Sequence, residues 1–320
     1  MKTQDCAGLL KREIGKIFVG KEKQVELIIM SVFAGGHVLL DDLPGSGKTT
    51  LIKTMARALG CDFKRVQFTP DLLPSDIIGM TVFDQKSGSF QHIKGPVFSN
   101  ILLADEINRA IPRTQSALLE AMEEQQVTID NETFPLPEPF FVMATQNPVE
   151  RESTFQLPAA QMDRFFVRLS LGFPSREEEA KMLLELGDTI DFSVVDIISS
   201  PEQLMEIRGE IQKVHVSEHV RNYIVDLVHR TRENPLLKAG ASPRASRCLF
   251  QGGKSRAAIL GRDYVTPEDI ADIFLPVLGH RVLISNEARY TKKTAEDILS
   301  AILEETPVPP GKGEMFNETK

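Results

Sequence analysis

The stretch Asp42-Leu-Pro-Gly-Ser-Gly-Lys-Thr49 decides the fold of this chain. It follows the apolar run His37-Val-Leu-Leu40, which is short enough for a buried strand. Residues 50–59 come next and carry apolar side chains at helical spacing. A strand, a glycine-rich turn and a helix in this order predict a phosphate-binding loop (P-loop). The glycines let backbone N–H groups face a phosphate, and the helix N-terminus adds partial positive charge.

The loop also assigns candidate contacts to individual residues. Lys48 is predicted to reach the β- and γ-phosphates of a nucleotide, and the Thr49 hydroxyl is predicted to ligate Mg²⁺. Asp42 stands where the strict G-x-x-x-x-G-K-[ST] pattern has glycine, and we expect it to affect turn geometry more than phosphate contacts. An ordinary glycine turn is the alternative, which the flanking strand and helix disfavour. The full set of predicted nucleotide contacts in this stretch is Pro44, Gly45, Ser46, Gly47, Lys48, Thr49 and Thr50.

A second apolar run, Ile101-Leu-Leu-Ala-Asp-Glu106, ends in two carboxylates. Ligands of open α/β sheets bind at the carboxyl ends of the strands, so the pair is predicted to lie beside the loop. Asp105 is predicted to hold Mg²⁺ and Glu106 to polarise the attacking water. A structural role, two acids capping the next helix, does not explain their pairing with a P-loop. Asn147, after the buried strand predicted at 140–145, is placed to orient that water, although Asn-Pro by itself is only a turn former.

Composition limits the class of protein. With 320 residues, 42% hydrophobic and 26% charged, the chain is predicted to be globular with two domains. A net charge of -8 gives no general field for binding nucleic acid. Cys6, Cys61 and Cys248 are too few and too scattered for a disulfide framework or a zinc site. No apolar run approaches the roughly 18 residues of a membrane span and no signal-peptide pattern is present, so we expect a cytoplasmic protein.

The remaining pattern divides the chain into domains. Alternating residues on either side of 84–88 and of Asp130-Asn131 predict two β-hairpins. Beyond Gly172-Phe-Pro174 the segments are helical in period, which predicts a second, all-α domain. The proline- and glycine-containing end predicts a flexible tail. The expected boundaries are 1–173 for the nucleotide domain, 174–306 for the helical lid and 307–320 for the tail.

Further motifs carry a family resemblance. They include Phe68-Thr-Pro-Asp-Leu-Leu-Pro-Ser-Asp-Ile-Ile-Gly79, Leu103-Ala-Asp-Glu-Ile-Asn-Arg-Ala110, Met162-Asp-Arg-Phe165 and Gly240-Ala-Ser-Pro-Arg-Ala245. In this order and spacing the chain resembles the MoxR family of AAA+ ATPases from about residue 15 to residue 305. The resemblance implies a five-stranded parallel sheet between helices, two inserted hairpins and a smaller helical lid.

The resemblance also implies roles for residues outside the two strand-end motifs. Val19 and Gly20 would lie near the adenine, and Asn147 would be the sensor 1 residue. Arg164 resembles the arginine finger that points at the nucleotide of a neighbouring subunit, and Arg244 resembles the sensor 2 arginine of the lid. The site would then be complete only in a ring, which the resemblance implies to be a hexamer. The alternative for each arginine is a surface ion pair, for Arg164 with the adjacent acid of residue 163.

The expected activity is Mg²⁺-dependent hydrolysis of ATP to ADP, coupled to movement in the ring. The resemblance implies chaperone-like remodelling or activation of protein clients, von Willebrand factor A-domain proteins among them. A metal-chelatase motor subunit remains an alternative of the same architecture. A nucleic-acid motor is less favoured, because segment 84–93 contains one basic residue, Lys86, and segment 128–135 contains none. Gly252-Gly253 is expected to interrupt the lid helix after Arg244, at roughly 1 kcal/mol per glycine.

Overall fold

The computed structural model describes residues 2–86, 88–149, 154–186 and 190–309. Its core is a parallel sheet of five strands in the order β2-β5-β8-β1-β9, and three antiparallel pairs lie outside it. The strands are β1 (Val38–Asp41), β2 (Phe63–Gln67), β3 (Gly79–Asp84), β4 (Ser89–Lys94), β5 (Ile101–Asp105), β6 (Gln126–Ile129), β7 (Glu132–Pro135), β8 (Phe141–Gln146), β9 (Val167–Leu169), β10 (Leu237–Ala239) and β11 (Leu283–Ile284).

Helices flank this sheet and form most of the C-terminal half. Those in the first half are α1 (Thr3–Gly15), α2 (Glu22–Ala34), α3 (Lys48–Ala58), α4 (Pro74–Ile78), α5 (Pro112–Glu124) and α6 (Ala159–Met162). Those in the second half are α7 (Arg176–Leu186), α8 (Pro201–Gln212), α9 (Glu218–Glu233), α10 (Pro243–Ile259), α11 (Pro267–Leu278), α12 (Asn286–Tyr290) and α13 (Ala295–Glu305). None of the described helices is long and apolar enough to cross a membrane.

The central strands are buried on both faces, which explains their unbroken apolar runs. Along β5, Leu102 packs into one buried cluster, whereas Ile101 and Leu103 pack into another. This second cluster continues through α1 and α2 into the lid helices, so the lid packs directly on the nucleotide domain. The predicted α/β core with a helical lid is thereby confirmed.

Both predicted hairpins are present. Strands β3 and β4 pair from Gly79 with Lys94 to Asp84 with Ser89. The second hairpin, β6 and β7, is shorter and turns at Asp130, whose φ of 55° is left-handed. Both insertions therefore lie outside the parallel sheet, on connections that lead to or from its strands.

The expected interruption of the lid helix at Gly252-Gly253 is wrong. Helix α10 runs unbroken through both glycines, and both are buried. A Cβ at Gly252 would lie 2.6 Å from the Cδ1 atom of Ile273, and one at Gly253 would lie 2.6 Å from the Cδ1 atom of Ile270. The glycines let α10 approach α11 closely, so packing between the helices outweighs the low helix propensity of glycine.

Three further segments differ from the sequence pattern. The sequence of residues 158–166 predicts a short helix, but only the single turn α6 forms, because the carbonyls of Asp163 and Phe166 accept hydrogen bonds from the Arg281 guanidinium, at 3.1 and 3.0 Å. The connector at 70–79 contains the short helix α4, and the lid contains the β10–β11 pair besides its helices. Most of the tail predicted at 307–320 lies outside the described residues.

Candidate active site

The P-loop joins β1 to α3 and has the backbone of an anion cradle. Gly45 and Gly47 have φ angles of 85° and 80°, in the left-handed region that glycine adopts without strain. Helix α3 begins at Lys48, so its N-terminal N–H groups face the loop. The Ser46 hydroxyl is buried and has no hydrogen-bond partner among the described residues. The loop therefore presents donors suited to phosphate oxygens.

The Lys48 ammonium group is folded against this loop. Its Nζ atom donates to the backbone oxygens of Asp42 and Leu43, at 3.1 and 2.8 Å. Burial lowers the pKa of Lys48, whereas nearby carboxylates, including those of Asp105 and Glu106, act in the opposite direction. A phosphate entering the loop would meet a partly desolvated cation that carbonyl dipoles already orient.

Asp42, the residue that departs from the strict loop pattern, is buried and fully engaged. Its carboxylate accepts hydrogen bonds from the Ser170 hydroxyl at 2.7 Å and from the backbone N–H groups of Leu171 and Gly172 at 2.8 and 2.9 Å. These three donors follow β9 directly. Asp42 thus ties the start of the P-loop to the segment that leads into α7.

The two carboxylates at the end of β5 share one positioning residue. The Thr145 hydroxyl donates to the Asp105 carboxylate at 2.7 Å and accepts from the Glu106 N–H at 2.8 Å. The second carboxylate oxygen of Asp105 accepts from Arg65 at 2.6 Å. Glu106 itself has a left-handed φ of 56°, which turns the chain sharply after the strand. The left-handed backbone at Glu106 and the Thr145 hydroxyl of β8 together fix the positions of both acids.

The Glu106 carboxylate is held from two sides. Gln67 donates to it at 2.7 Å, and Arg109 lies 2.9 Å from the same oxygen. Sequence analysis missed the positioning roles of Arg65, Gln67 and Thr145. All three lie near the carboxyl ends of strands that neighbour β5, but the strand order that makes them neighbours is a property of the folded sheet.

These groups line one cleft of about 410 Å³. Asn147 also lines it, and its Oδ1 atom accepts from the backbone N–H of Val149 at 3.1 Å, which fixes the orientation of the amide. The other predicted residues on this cleft are Pro44, Gly45, Ser46, Gly47, Lys48, Thr49, Thr50, Asp105 and Glu106. The structure thus brings together the loop, both acids and the predicted sensor residue.

The predicted adenine region adjoins the same loop. Val19 lines a smaller cavity together with Gly45 and Thr50 of the P-loop and Met182 of α7. Gly20 follows it with a φ of 77°, and a Cβ there would lie 1.8 Å from a carboxylate oxygen of Glu178. Helix α7 therefore packs against the turn between α1 and α2.

The predicted arginine finger, Arg164, and the predicted sensor 2 residue, Arg244, lie elsewhere. Neither Arg164 nor Arg244 lines the P-loop cleft. Both instead pair with Glu123 near the end of α5: the Nε atom of Arg164 lies 2.8 Å from one carboxylate oxygen, and Arg244 bonds the other. Asp163, the acid adjacent to Arg164, pairs with the buried Arg281 at 2.7 Å. The arginine ion pair weighed as an alternative is present, but its acid is Glu123.

Comparison with known proteins identifies the family. The model of the ATPase family associated with various cellular activities (AAA) matches residues 37–167, and that of the AAA lid domain matches residues 229–302. The chain is 40% identical to Chaperone MoxR1 of Mycobacterium tuberculosis, over 93% of this chain and 81% of that protein. The chain belongs to the MoxR family of AAA+ ATPases. It is accordingly an ATP-hydrolysing enzyme that binds nucleotide.

Two further relatives support membership of the MoxR family over nearly the whole chain. The uncharacterized protein YeaC of Bacillus subtilis is 43% identical, and the match covers 94% of each chain. A solved structure of a candidate ATPase from Cytophaga hutchinsonii superimposes with a TM-score of 0.90 at 40% identity, covering 96% of both chains. The lid and the nucleotide domain are therefore both shared with these relatives.

Proposed function

We propose that this MoxR-family ATPase hydrolyses ATP with Mg²⁺ in a homo-oligomeric ring, a hexamer, and uses the movement to remodel or activate client proteins. The observation that carries the proposal is the position of Arg164 and Arg244. They share Glu123 outside the cleft that holds Lys48 and Glu106. This arrangement supports a site that a neighbouring chain completes. The proposed domains are the nucleotide domain, 1–173, and the helical lid, 174–306. The proposed location is the cytoplasm, where ATP is available.

Within one chain, the cleft residues suit a nucleotide and a divalent cation. The unpartnered Ser46 hydroxyl and the left-handed glycines fit phosphate oxygens. The Thr49 hydroxyl and the Asp105 carboxylate are oxygen ligands of the kind Mg²⁺ prefers, and both line the cleft. When bound there, Mg²⁺ would neutralise negative charge on the phosphates. Arg65, now on Asp105, would yield part of that contact to the cation.

The proposed catalytic roles follow from the contacts at the strand ends. Glu106, held by Gln67 and Arg109, would accept a proton from the attacking water. Asn147, whose amide is oriented through Val149, would position that water against the terminal phosphate. Within the described residues the chain therefore supplies the base and its orientation, and the cations near the acids besides Lys48 are Arg65 and Arg109, which already pair with Asp105 and Glu106.

Arg164 and Arg244 would supply the missing positive charge in trans. In the isolated chain both share the single carboxylate of Glu123, and Arg244 also lies 3.9 Å from the Asp163 carboxylate. In a ring, the phosphates bound to the neighbouring chain would compete with Glu123 for both guanidinium groups. Arginine fingers in P-loop NTPases contribute roughly 10³–10⁵ in turnover, so assembly would control the rate.

The exposed surface of the first hairpin, β3 and β4, is suited to contact with protein clients. Phe83 and Phe90 pair edge to face at its tip, 5.2 Å between ring centres, and are 55% and 73% exposed. Exposed apolar side chains suit contact with unfolded or partly folded protein. One relative carries the name chaperone. The family resemblance adds von Willebrand factor A-domain proteins as the class of client.

Mixing two inactive variants tests the ring. Glu106→Gln and Arg164→Ala should each lose at least about 100-fold in turnover, because one lacks the base and the other the trans cation. Mixed together they should regain part of the rate, since some interfaces combine an intact Glu106 with an intact Arg164. The measurement is ATPase rate against total chain concentration, with each variant alone as control. A wild-type rate per chain that is independent of concentration, with Arg164→Ala fully active, would contradict the proposal.

A further inference from the structure

A large cavity in the described structure is a groove on the lid, away from the P-loop cleft. It has a volume of about 930 Å³ and lies between the end of α2 and helices α8, α9 and α10. We call it the lid groove. Its floor is apolar: Phe33 and Ile224 are buried beneath it, and Phe250 is half-buried at its side. A groove of this volume and polarity is suited to holding a helix by its apolar face.

Every charged residue that lines the lid groove is a cation. They are Arg208, Arg221, Arg247 and Lys254, in a chain whose net charge is -8. Within the described part of the chain none of the four forms an ion pair; Arg208 and Lys254 donate to backbone carbonyls instead, at 3.0 and 2.6 Å. The groove therefore complements an occupant that is both apolar and acidic.

The lid groove begins at the arginine pair of the proposed subunit interface. Arg244 and Arg247 are three residues apart on α10, so they lie on neighbouring positions of one helix face. Gln125, which lines the groove, is two residues from Glu123, the acid that holds Arg164 and Arg244. A neighbouring chain whose nucleotide meets these arginines would bring the surroundings of its own P-loop against the groove.

Helix α7 is the element beside the P-loop that has the required chemistry. Its inner face carries Glu178, which packs against Gly20, and Met182, which lines the cavity next to the P-loop. On its outer face, Leu183 and Leu184 are 76% and 86% exposed.

Glutamates border those two leucines on both sides. At 100° per residue the outer face of α7 runs in the order Glu179, Leu183, Arg176, Ala180, Leu184, Glu177. Arg176 is the first residue of the helix, about 10 Å along its axis from Leu183, so the stripe beside the leucines is apolar. Both glutamates are exposed. An apolar stripe between two acidic edges matches an apolar floor between cationic walls.

We propose that the outer face of α7 docks into the lid groove of the neighbouring chain, with Leu183 and Leu184 on the apolar floor and Glu177 and Glu179 against the cations Arg221 and Arg247. This inference rests on the proposed ring. It assigns α7 a second role: the helix that covers the nucleotide pocket of its own chain also joins that chain to the next. Nucleotide binding beneath α7 and ring assembly are then coupled through one helix.

Charge reversal across the contact tests this pairing. Glu179→Arg and Arg247→Glu should each raise the chain concentration for half-assembly about tenfold in the presence of ATP, because each places like charges in the interface. Combining both changes in one chain should return assembly to within about threefold of wild type, since every interface then regains opposite charges. Sedimentation velocity measures the assembly. The exposed lid variant Lys238→Glu, outside the groove, is the matched control.

The leucines are expected to give the larger effect. Leu183→Ser with Leu184→Ser should raise the concentration for half-assembly about 100-fold or more, with Leu260→Ser as the control on an exposed leucine outside the groove. Circular dichroism melts of all variants should match wild type, because the substituted side chains are exposed.

The outcomes separate the two proposals. If wild type assembles and mixed Glu106→Gln and Arg164→Ala chains regain activity, but the α7 and groove variants assemble like wild type, the docking inference is overturned and the ring stands. Failure of the combined reversal to restore assembly overturns the pairing in the same way. If wild type neither assembles nor shows a concentration-dependent rate, the ring itself is rejected.

Discussion

The P-loop cleft and the arginine pair are built in contrasting ways. In the cleft, Asp105, Glu106 and Asn147 come from adjacent strand ends and are held by neighbours within the same sheet edge. The arginine pair joins three distant elements: Glu123 lies on α5, Arg164 follows α6 and Arg244 lies at the start of α10. Both arginines contact a carboxylate of their own chain. The cleft gathers its predicted nucleotide-binding residues within one chain, whereas under the proposed ring the arginine pair would act on the nucleotide of a second chain.

The largest expected contrast between the two regions is in nucleotide binding. Lys48→Ala should weaken ATP binding by about 100-fold, because it removes a desolvated cation from the phosphate site. Arg244→Ala should leave the affinity of the dilute chain within about threefold of wild type, since Arg244 is absent from that cleft. Titration of a fluorescent ATP analogue at low chain concentration measures both. Comparable losses in the two variants would show that Arg244 reaches its own nucleotide.

The cleft also depends on a contact that its motif does not contain. Asp42→Gly restores the strict loop pattern but removes the acceptor for three donors after β9. We expect a loss of about 3 kcal/mol in the free energy of unfolding, because two buried backbone N–H groups lose their partner. Urea denaturation measures it, with Asp71→Gly in an exposed turn as control. Equal stability of Asp42→Gly and wild type would show that these bonds are replaced by water at no cost.

A buried histidine connects the two regions. The Nδ1 atom of His37 accepts from the backbone N–H of Val142 in β8, at 3.0 Å, and its Nε2 atom lies 3.1 Å from the backbone oxygen of Met122, next to Glu123. The ring is therefore neutral, with its proton on Nε2. Burial lowers the pKa of His37 to about 4, because a second proton would face an N–H donor in an apolar environment.

The buried His37 gives the smallest predicted effect, a change in the free energy of unfolding that appears only at acidic pH. The unfolded chain takes up a proton on His37 as the pH falls below about 6.5, whereas the folded chain does so only near 4, so stability is lost as the pH falls through that window. Between pH 6.5 and 5 this is about 2 kcal/mol. His37→Gln should remove that part of the pH dependence in urea denaturation, and the exposed His219→Gln should not. An unchanged slope in His37→Gln would contradict the assignment.

The sequence predicts local features well because they depend on neighbours along the chain. The P-loop, the run ending in Glu106 and the two hairpins follow from periodicity and turn residues, and the structure confirms them as elements. Gly252 shows the limit: its helix propensity argues for a break, and only the position of α11 reverses that. The bonds of Thr145 to the two acids likewise depend on β8 lying beside β5. What sequence analysis missed is the set of contacts between elements distant in the chain.

The pairing of Glu123 with both arginines bears on how the ATPase rate would respond to the amount of this protein in a cell. A solitary chain keeps both arginines on its own carboxylate, so under the proposed ring mechanism it is an idle enzyme that still binds ATP. Hydrolysis would then rise faster than linearly with the number of chains. A twofold change in synthesis would alter turnover by more than twofold, and dilution by cell growth without new synthesis would by itself lower the rate per chain. Gene dosage would act as the regulator, with no separate inhibitor needed.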